Sequence, residues 1–101
     1  MGLSSKLVIL SCMNEKQVII DVREPFEYES GHVEGALNVP LSTLALDDSV
    51  LDGVDKKTKL ITYCKTGGRS NESIKLLRQR GFTNITNGIN AKQVEKIHLR
   101  G

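Results

Sequence analysis

Apolar residues come in short bursts along this chain, separated by polar, glycine-marked or proline-marked stretches. Residues 17–22 are β-branched and almost continuously apolar, the signature of a strand buried on both faces of a parallel sheet. Pro25 suits the first turn of a short helix through Tyr28, and Gly31 ends it. Residues 36–39 read as a short strand stopped by Pro40. Residues 41–51 follow a helical spacing with Leu41, Leu44, Ala45 and Leu51 inward, and with breaks available at Ser42 or at Asp47-Asp48. A polar connection, residues 52–59, leads to an apolar strand at 59–64. Residues 70–80 form a helix with Ile74, Leu76 and Leu77 as its apolar members, Lys75, Arg78 and Arg80 toward water, and Gly81 as a left-handed cap. Residues 82–86 read as a last strand, Asn87-Gly88 as a turn, and 91–99 as a final helix with Val94 and Ile97 toward its packed side and His98 beside them. At the start, Ser4 and Ser5 precede Leu7, Val8, Leu10 and Met13, a spacing that suits a short amphipathic helix. The run Leu7-Val8-Ile9-Leu10 is equally compatible with a strand. Strands alternate with helices, so the class is α/β, with a mainly parallel central sheet covered by helices on both faces.

The chemistry gathers at Cys64-Lys65-Thr66-Gly67-Gly68-Arg69-Ser70, between a predicted strand and a predicted helix. Loops at the carboxyl ends of parallel strands are where ligands bind in such sheets. The two glycines allow the loop to curl, so that its N–H groups and those of the following helical turn converge on one spot. Such a spot attracts anions and favours thiolate over thiol at Cys64, with Lys65 and Arg69 adding positive charge. Four residues separate Cys64 from Arg69. Cysteine-dependent phosphatases use a related cradle one residue longer, so the shorter loop disfavours a phosphoryl group and suits a single sulfur atom.

Composition narrows the alternatives. The chain has 101 residues, enough for one domain, taken as 1–101, and 39% of them are hydrophobic. A net charge of +2 and four aromatic residues give no support to a nucleic-acid surface. No apolar run approaches bilayer length. Met1-Gly2 lacks the Ser or Thr of a myristoylation motif, since Lys6 stands there, and the apolar stretch at 7–10 is too short for a secretory leader. The expected compartment is the cytoplasm. Two cysteines make no disulfide framework, and Cys12, without cationic or glycine neighbours, reads as core packing. Two histidines at irregular spacing give little support to a structural zinc site.

Two stretches resemble a known family. The first is Ile20-Asp21-Val22-Arg23-Glu24-Pro25-Phe26-Glu27-Tyr28, continuing through Gly31-His32-Val33-Glu34-Gly35-Ala36-Leu37-Asn38-Val39-Pro40. The second is Tyr63-Cys64-Lys65-Thr66-Gly67-Gly68-Arg69-Ser70 with the helix and Gly81-Phe82-Thr83-Asn84-Ile85 after it. Together they resemble the single-domain rhodaneses, which are sulfurtransferases. The resemblance implies a three-layer α/β rhodanese-like fold. It implies Cys64 as nucleophile, with Lys65, Thr66, Gly67, Gly68 and Arg69 binding substrate through loop amides and cations. The expected reaction moves sulfane sulfur from thiosulfate or a persulfide donor to cyanide, a thiol or a protein cysteine, through a persulfide on Cys64 and with no cofactor. The other readings are a carrier of sulfur between proteins and a non-catalytic interaction module. Lys75, Arg78 and Arg80 read first as a wet surface, but with Lys65 they could face an acidic sulfur-carrier or thioredoxin-like protein. The chain departs from the family pattern in two places. Lys65 stands where arginine is usual, losing the planar fork that grips oxyanions. Asn87-Gly88 stands for a glycine pair, with no tryptophan after it.

Asp21 and Arg23 match family positions as supporting residues, and a structural charge pair is the favoured reading of them. His32 is read as a fold residue, Glu27 and Glu29 as a solvated helix face, and Ser70 as a helix cap.

Overall fold

A computed structural model describes residues 17–47 and 49–98. The expectations for residues 3–15, including Cys12, lie outside the described residues, as does residue 99 of the last helix. Four strands, β1 (Gln17–Asp21), β2 (Leu37–Asn38), β3 (Lys59–Tyr63) and β4 (Ile85–Ile89), form one sheet in the order β2-β1-β3-β4. All three pairings are parallel, and Ile20 of β1 lies beside Leu37 of β2 and Thr62 of β3. Four helices connect or follow them: α1 (Pro25–Ser30), α2 (Leu41–Leu46), α3 (Gly68–Gln79) and α4 (Ala91–His98).

Alternation along the central strands sends side chains to two separate cores. Ile20, Val22, Leu60 and Cys64 pack with Leu44 of α2 and Leu77 of α3 on one face. Ile19, Ile61 and Tyr63 pack with Val94 of α4 on the other, and half-buried Tyr28 of α1 joins them. With both faces covered, β1 and β3 have no solvent-facing side, so their central residues are largely apolar, buried Thr62 excepted.

Several sequence expectations are corrected. The helix expected over 41–51 stops at Leu46, leaving Ala45 exposed. Leu51 still packs against the core, but from a turn, with a left-handed φ of 74°. The last strand is displaced from 82–86 to Ile85–Ile89. Phe82 is instead buried beneath the end of α3, its N–H bonded to Leu77 O at 3.2 Å. Asn87 and Gly88 therefore lie within β4 rather than in a turn. Gly88 is there for lack of space: a Cβ would stand 2.5 Å from Val94 Cγ2 and 3.0 Å from Ile61 Cγ2. Arg80 turns inward, donating from Nη2 to Leu44 O and tying α3 to α2. Ile97 is 62% exposed, so α4 packs through Val94 and Ala91.

Candidate active site

In the order β2-β1-β3-β4 the chain leaves β1 toward one edge and β3 toward the other, so the crevice of an open parallel sheet falls at the carboxyl ends of these two strands. Asp21 ends β1, and Cys64 follows β3 directly. Cys64 N–H bonds to Ile89 O at 3.1 Å, which fixes the cysteine against the end of β4. The chain then curls through Lys65 and Thr66 into Gly67, whose φ of 97° and ψ of −14° are left-handed. This conformation is easy for glycine and costly for a residue with a Cβ. It points Gly67 N–H back at Cys64 Sγ, 3.0 Å away. Gly68 opens α3 with an ordinary helical φ and open space around it, so only the first glycine uses its conformational freedom.

Cys64 is 2% exposed. Burial pushes its thiol pKa up, but the N–H groups of Ser70, Thr66, Gly67 and Arg69 surround the sulfur and outweigh it, leaving the pKa below the ordinary thiol value. Loop amides and the first turn of α3 thus form a cup for negative charge at sulfur.

Lys65 and Thr66 are exposed at the rim. Arg69 grips Glu27 of α1 with both terminal nitrogens, Nη1 to Oε1 at 2.7 Å and Nη2 to Oε2 at 3.1 Å. Glu27 also accepts from Glu24 N–H at 3.0 Å. The Arg69 guanidinium, then the Glu24 amide, hold its carboxyl at a pKa of about 2. Glu27 is therefore no solvated bystander: it joins α1 to the Cys64 loop. Its position two residues after Pro25 carried no signal, because the pairing spans 42 residues of chain.

Asp21 and Arg23 form the expected charge pair. Arg23 Nη2 stands 2.7 Å from Asp21 Oδ2 and Nε 2.9 Å from Oδ1. Asp21 is fully buried and also accepts from Tyr63 Oη at 3.1 Å. Tyr63 Oη in turn accepts Val33 N–H at 3.0 Å, and burial pushes its pKa up to about 12. His32 stacks on Tyr28, ring centroids 3.6 Å apart, with Nδ1 2.8 Å from Tyr28 O, which makes it a fold residue. Ser70 is not the helix cap, since the cap is Gly67. Its hydroxyl lies 2.5 Å from Asn87 Oδ1. Asn87 is a contact of the loop that sequence reasoning missed, having assigned it to a turn. Among the described residues, no three His, Cys, Asp or Glu side chains converge as a metal site.

A cysteine seated in an amide cup at the switch point of a parallel α/β sheet makes this an α/β protein whose central-strand end favours negative charge on sulfur. The chain belongs to the rhodanese-like domain family, whose model matches residues 8–91. It is 31% identical over 83 residues to the thiosulfate sulfurtransferase PspE of Escherichia coli K12, covering 81% of this chain and 78% of that protein. It is 43% identical over 72 residues to the uncharacterized protein YqhL of Bacillus subtilis, covering 71% of this chain and 55% of that one, so it spans about half of YqhL. The solved structure of a rhodanese with anions from E. coli superposes with a TM-score of 0.67 at 31% identity, covering 76% of this chain and 89% of the other.

Proposed function

We propose that this chain is a sulfurtransferase that carries sulfane sulfur as a persulfide on Cys64. The observation that carries the reading is the Gly67 N–H at 3.0 Å from Cys64 Sγ, within a ring of amides that lowers the thiol pKa. The more those amides favour thiolate over thiol at Cys64, the less its attack depends on a general base.

The Cys64 thiolate attacks the outer sulfur of thiosulfate. A new S–S bond forms, the old one breaks, and its electron pair leaves with sulfite. Charge balances, since one thiolate and one dianion become one persulfide anion and sulfite dianion. A nucleophilic acceptor such as cyanide or a thiolate then attacks the outer sulfur, and the bonding pair returns to Cys64. The loop amides stabilise the persulfide anion as an oxyanion hole stabilises oxygen. Because Arg69 is engaged by Glu27, exposed Lys65 and the loop amides take the larger part in meeting the donor's charge. With Cys64 only 2% exposed, a slender terminal sulfur, as both thiosulfate and a persulfide present, is the donor group that suits it. The 31% identity to a thiosulfate sulfurtransferase supports the same donor class.

The test is intact mass before and after thiosulfate, and again after cyanide. The expected result is a gain of about 32 Da, one covalently held sulfur, lost on cyanide and absent in Cys64→Ser. A gain from a persulfide donor alone would mark a carrier between proteins rather than a thiosulfate enzyme. Silence with both donors would sink the sulfur-transfer reading and leave an interaction module.

A further inference from the structure

The loop that holds Cys64 is itself held from the neighbouring strand by one uncharged side chain. Asn87 of β4 donates from Nδ2 to Gly67 O at 3.2 Å, while its Oδ1 lies 2.5 Å from Ser70 Oγ and accepts Ile89 N–H at 2.9 Å. The Ser70 hydroxyl also stands 3.1 Å from Gly67 O, but it has a single proton, and the shorter contact to Asn87 takes it. Both ends of the Asn87 amide are thereby used, and its three partners each contact Cys64, two at the sulfur and Ile89 at the backbone N–H. Gly67 aims its N–H at Cys64 Sγ. Ser70 contributes another of the amides facing that sulfur. Ile89 accepts the Cys64 N–H through its carbonyl, and a Cβ on Gly67 would stand 3.4 Å from its side chain.

The conformations being held are ones the chain would otherwise leave. Gly67 is left-handed and, as glycine, has other wells open to it at little cost. Ile89 has φ 74°, an unfavourable region for a β-branched residue, which persists only where its surroundings impose it. The hydrogen bond from Ile89 N–H to Asn87 Oδ1 is one such constraint, and the grip on Gly67 O is another.

We propose that Asn87 is a positioning residue for sulfur transfer, clamping the Gly67 and Ser70 segments of the loop so that their N–H groups stay aimed at the Cys64 sulfur. A glycine here, as in the glycine pair that this stretch replaces, has no side chain to make the clamp, so the device belongs to this chain's own Asn87. The proposal rests on Cys64 as the reacting group, but its test does not depend on sulfur transfer.

The experiment is the rate of Cys64 alkylation by iodoacetamide across pH 5 to 10, in the wild type, Asn87→Ala and Asn87→Gly. The charged groups around the sulfur are Arg69, paired with Glu27, and Lys65 beside it in the chain, and neither substitution alters them. The expected result is a rate–pH midpoint about one pH unit higher in both variants, so that alkylation near neutral pH slows about tenfold. Ser70→Ala should reproduce part of that change and add little when combined with Asn87→Ala, because the two side chains act through one contact. Asn87→Gly keeps the proposal testable should the alanine variant fail to fold, since glycine meets no steric obstacle in a strand. An unchanged midpoint in a folded variant, whatever its melting temperature, overturns the proposal and makes Asn87 structural only. If the protein takes no sulfur from any donor yet the midpoint moves, the sulfurtransferase reading fails and the clamp stands.

Discussion

Gly67 is the residue on which the cup turns. Its left-handed φ aims an amide at Cys64 Sγ, whereas Gly68 has a helical φ and empty space where a Cβ would go. Gly67→Ala should therefore cost about 1–2 kcal/mol, from forcing a Cβ into the left-handed region. That corresponds to a fall of roughly 4–16 °C in melting temperature for a domain of this size, and persulfide formation should slow with it. Gly68→Ala should melt at or slightly above the wild type, because alanine favours the helix. Equal losses from the two substitutions, by thermal denaturation, would remove Gly67's special place. The sulfur carries its own pH signature. The Cys64 thiol pKa is lowered in the folded state, so the stability it contributes is present above the unfolded thiol's pKa and lost as pH falls through the folded value. In the wild type its alkylation should persist to lower pH than that of a free thiol, and a curve matching free cysteine would refute the amide cup. If thiosulfate is the donor, Lys65→Ala should raise its KM with little change in stability, since Lys65 is exposed and directly follows Cys64 in the chain.

At the scale of elements, the site is an agreement among α1, α3 and β4 that no single stretch of sequence announces. The pairing of Arg69 with Glu27 locks α3 to α1. The Glu27 pKa of about 2 lies below the usual 4.5, so the pair's contribution is fully present above about pH 4.5 and lost as pH falls toward 2. Being partly exposed, it contributes about 1 kcal/mol after solvent screening. Glu27→Gln should then melt a few degrees below the wild type at pH 7, with the gap narrowing as both are acidified below about pH 4.5 and closing only as the pH nears 2. A gap undiminished at pH 3 would mean that the loss came from packing and not from the charge. The sequence pattern alone located β1, β3, α1 and α3 and the glycine-bearing loop that begins at Cys64. In those segments periodicity, proline and glycine all point one way. It misplaced β4 because Phe82, apolar enough for a strand, is needed to seal the end of α3, and because Asn-Gly is a turn signal elsewhere. Here Gly88 serves the close packing of α4, and Asn87 serves the loop. The roles of Glu27 and Asn87 are misread from sequence for one reason: Arg69 for the first, and Gly67 and Ser70 for the second, are distant in the chain, and only the fold brings them together.

On the whole molecule, Asp21 is where the two halves of the crevice are joined. Its buried carboxylate holds Arg23, just beyond the end of β1, and Tyr63, the last residue of β3. Arg23 reaches on to Gly31 O at 2.7 Å and Tyr63 Oη to Val33 N–H, so the segment after α1 is fixed through the same carboxylate. The Cys64 loop springs from Tyr63 itself. Asp21 could therefore serve catalysis by orienting that loop or serve the fold by neutralising Arg23, and the two roles predict different things. Removing one partner of a buried ion pair costs about 3–5 kcal/mol, because the other is left uncompensated. A domain of this size has only about 5–15 kcal/mol in all. Asp21→Asn should thus lose much of the total stability in urea denaturation, whereas Tyr63→Phe, losing one neutral hydroxyl, should lose about 1–2 kcal/mol. At a temperature where the Asp21→Asn protein is still folded, its persulfide yield per folded molecule should stay near the wild-type value. If instead the variant keeps its stability and loses persulfide formation, Asp21 acts on the loop. The charge network between β1 and β3 would then be part of the sulfur chemistry rather than the frame that carries it.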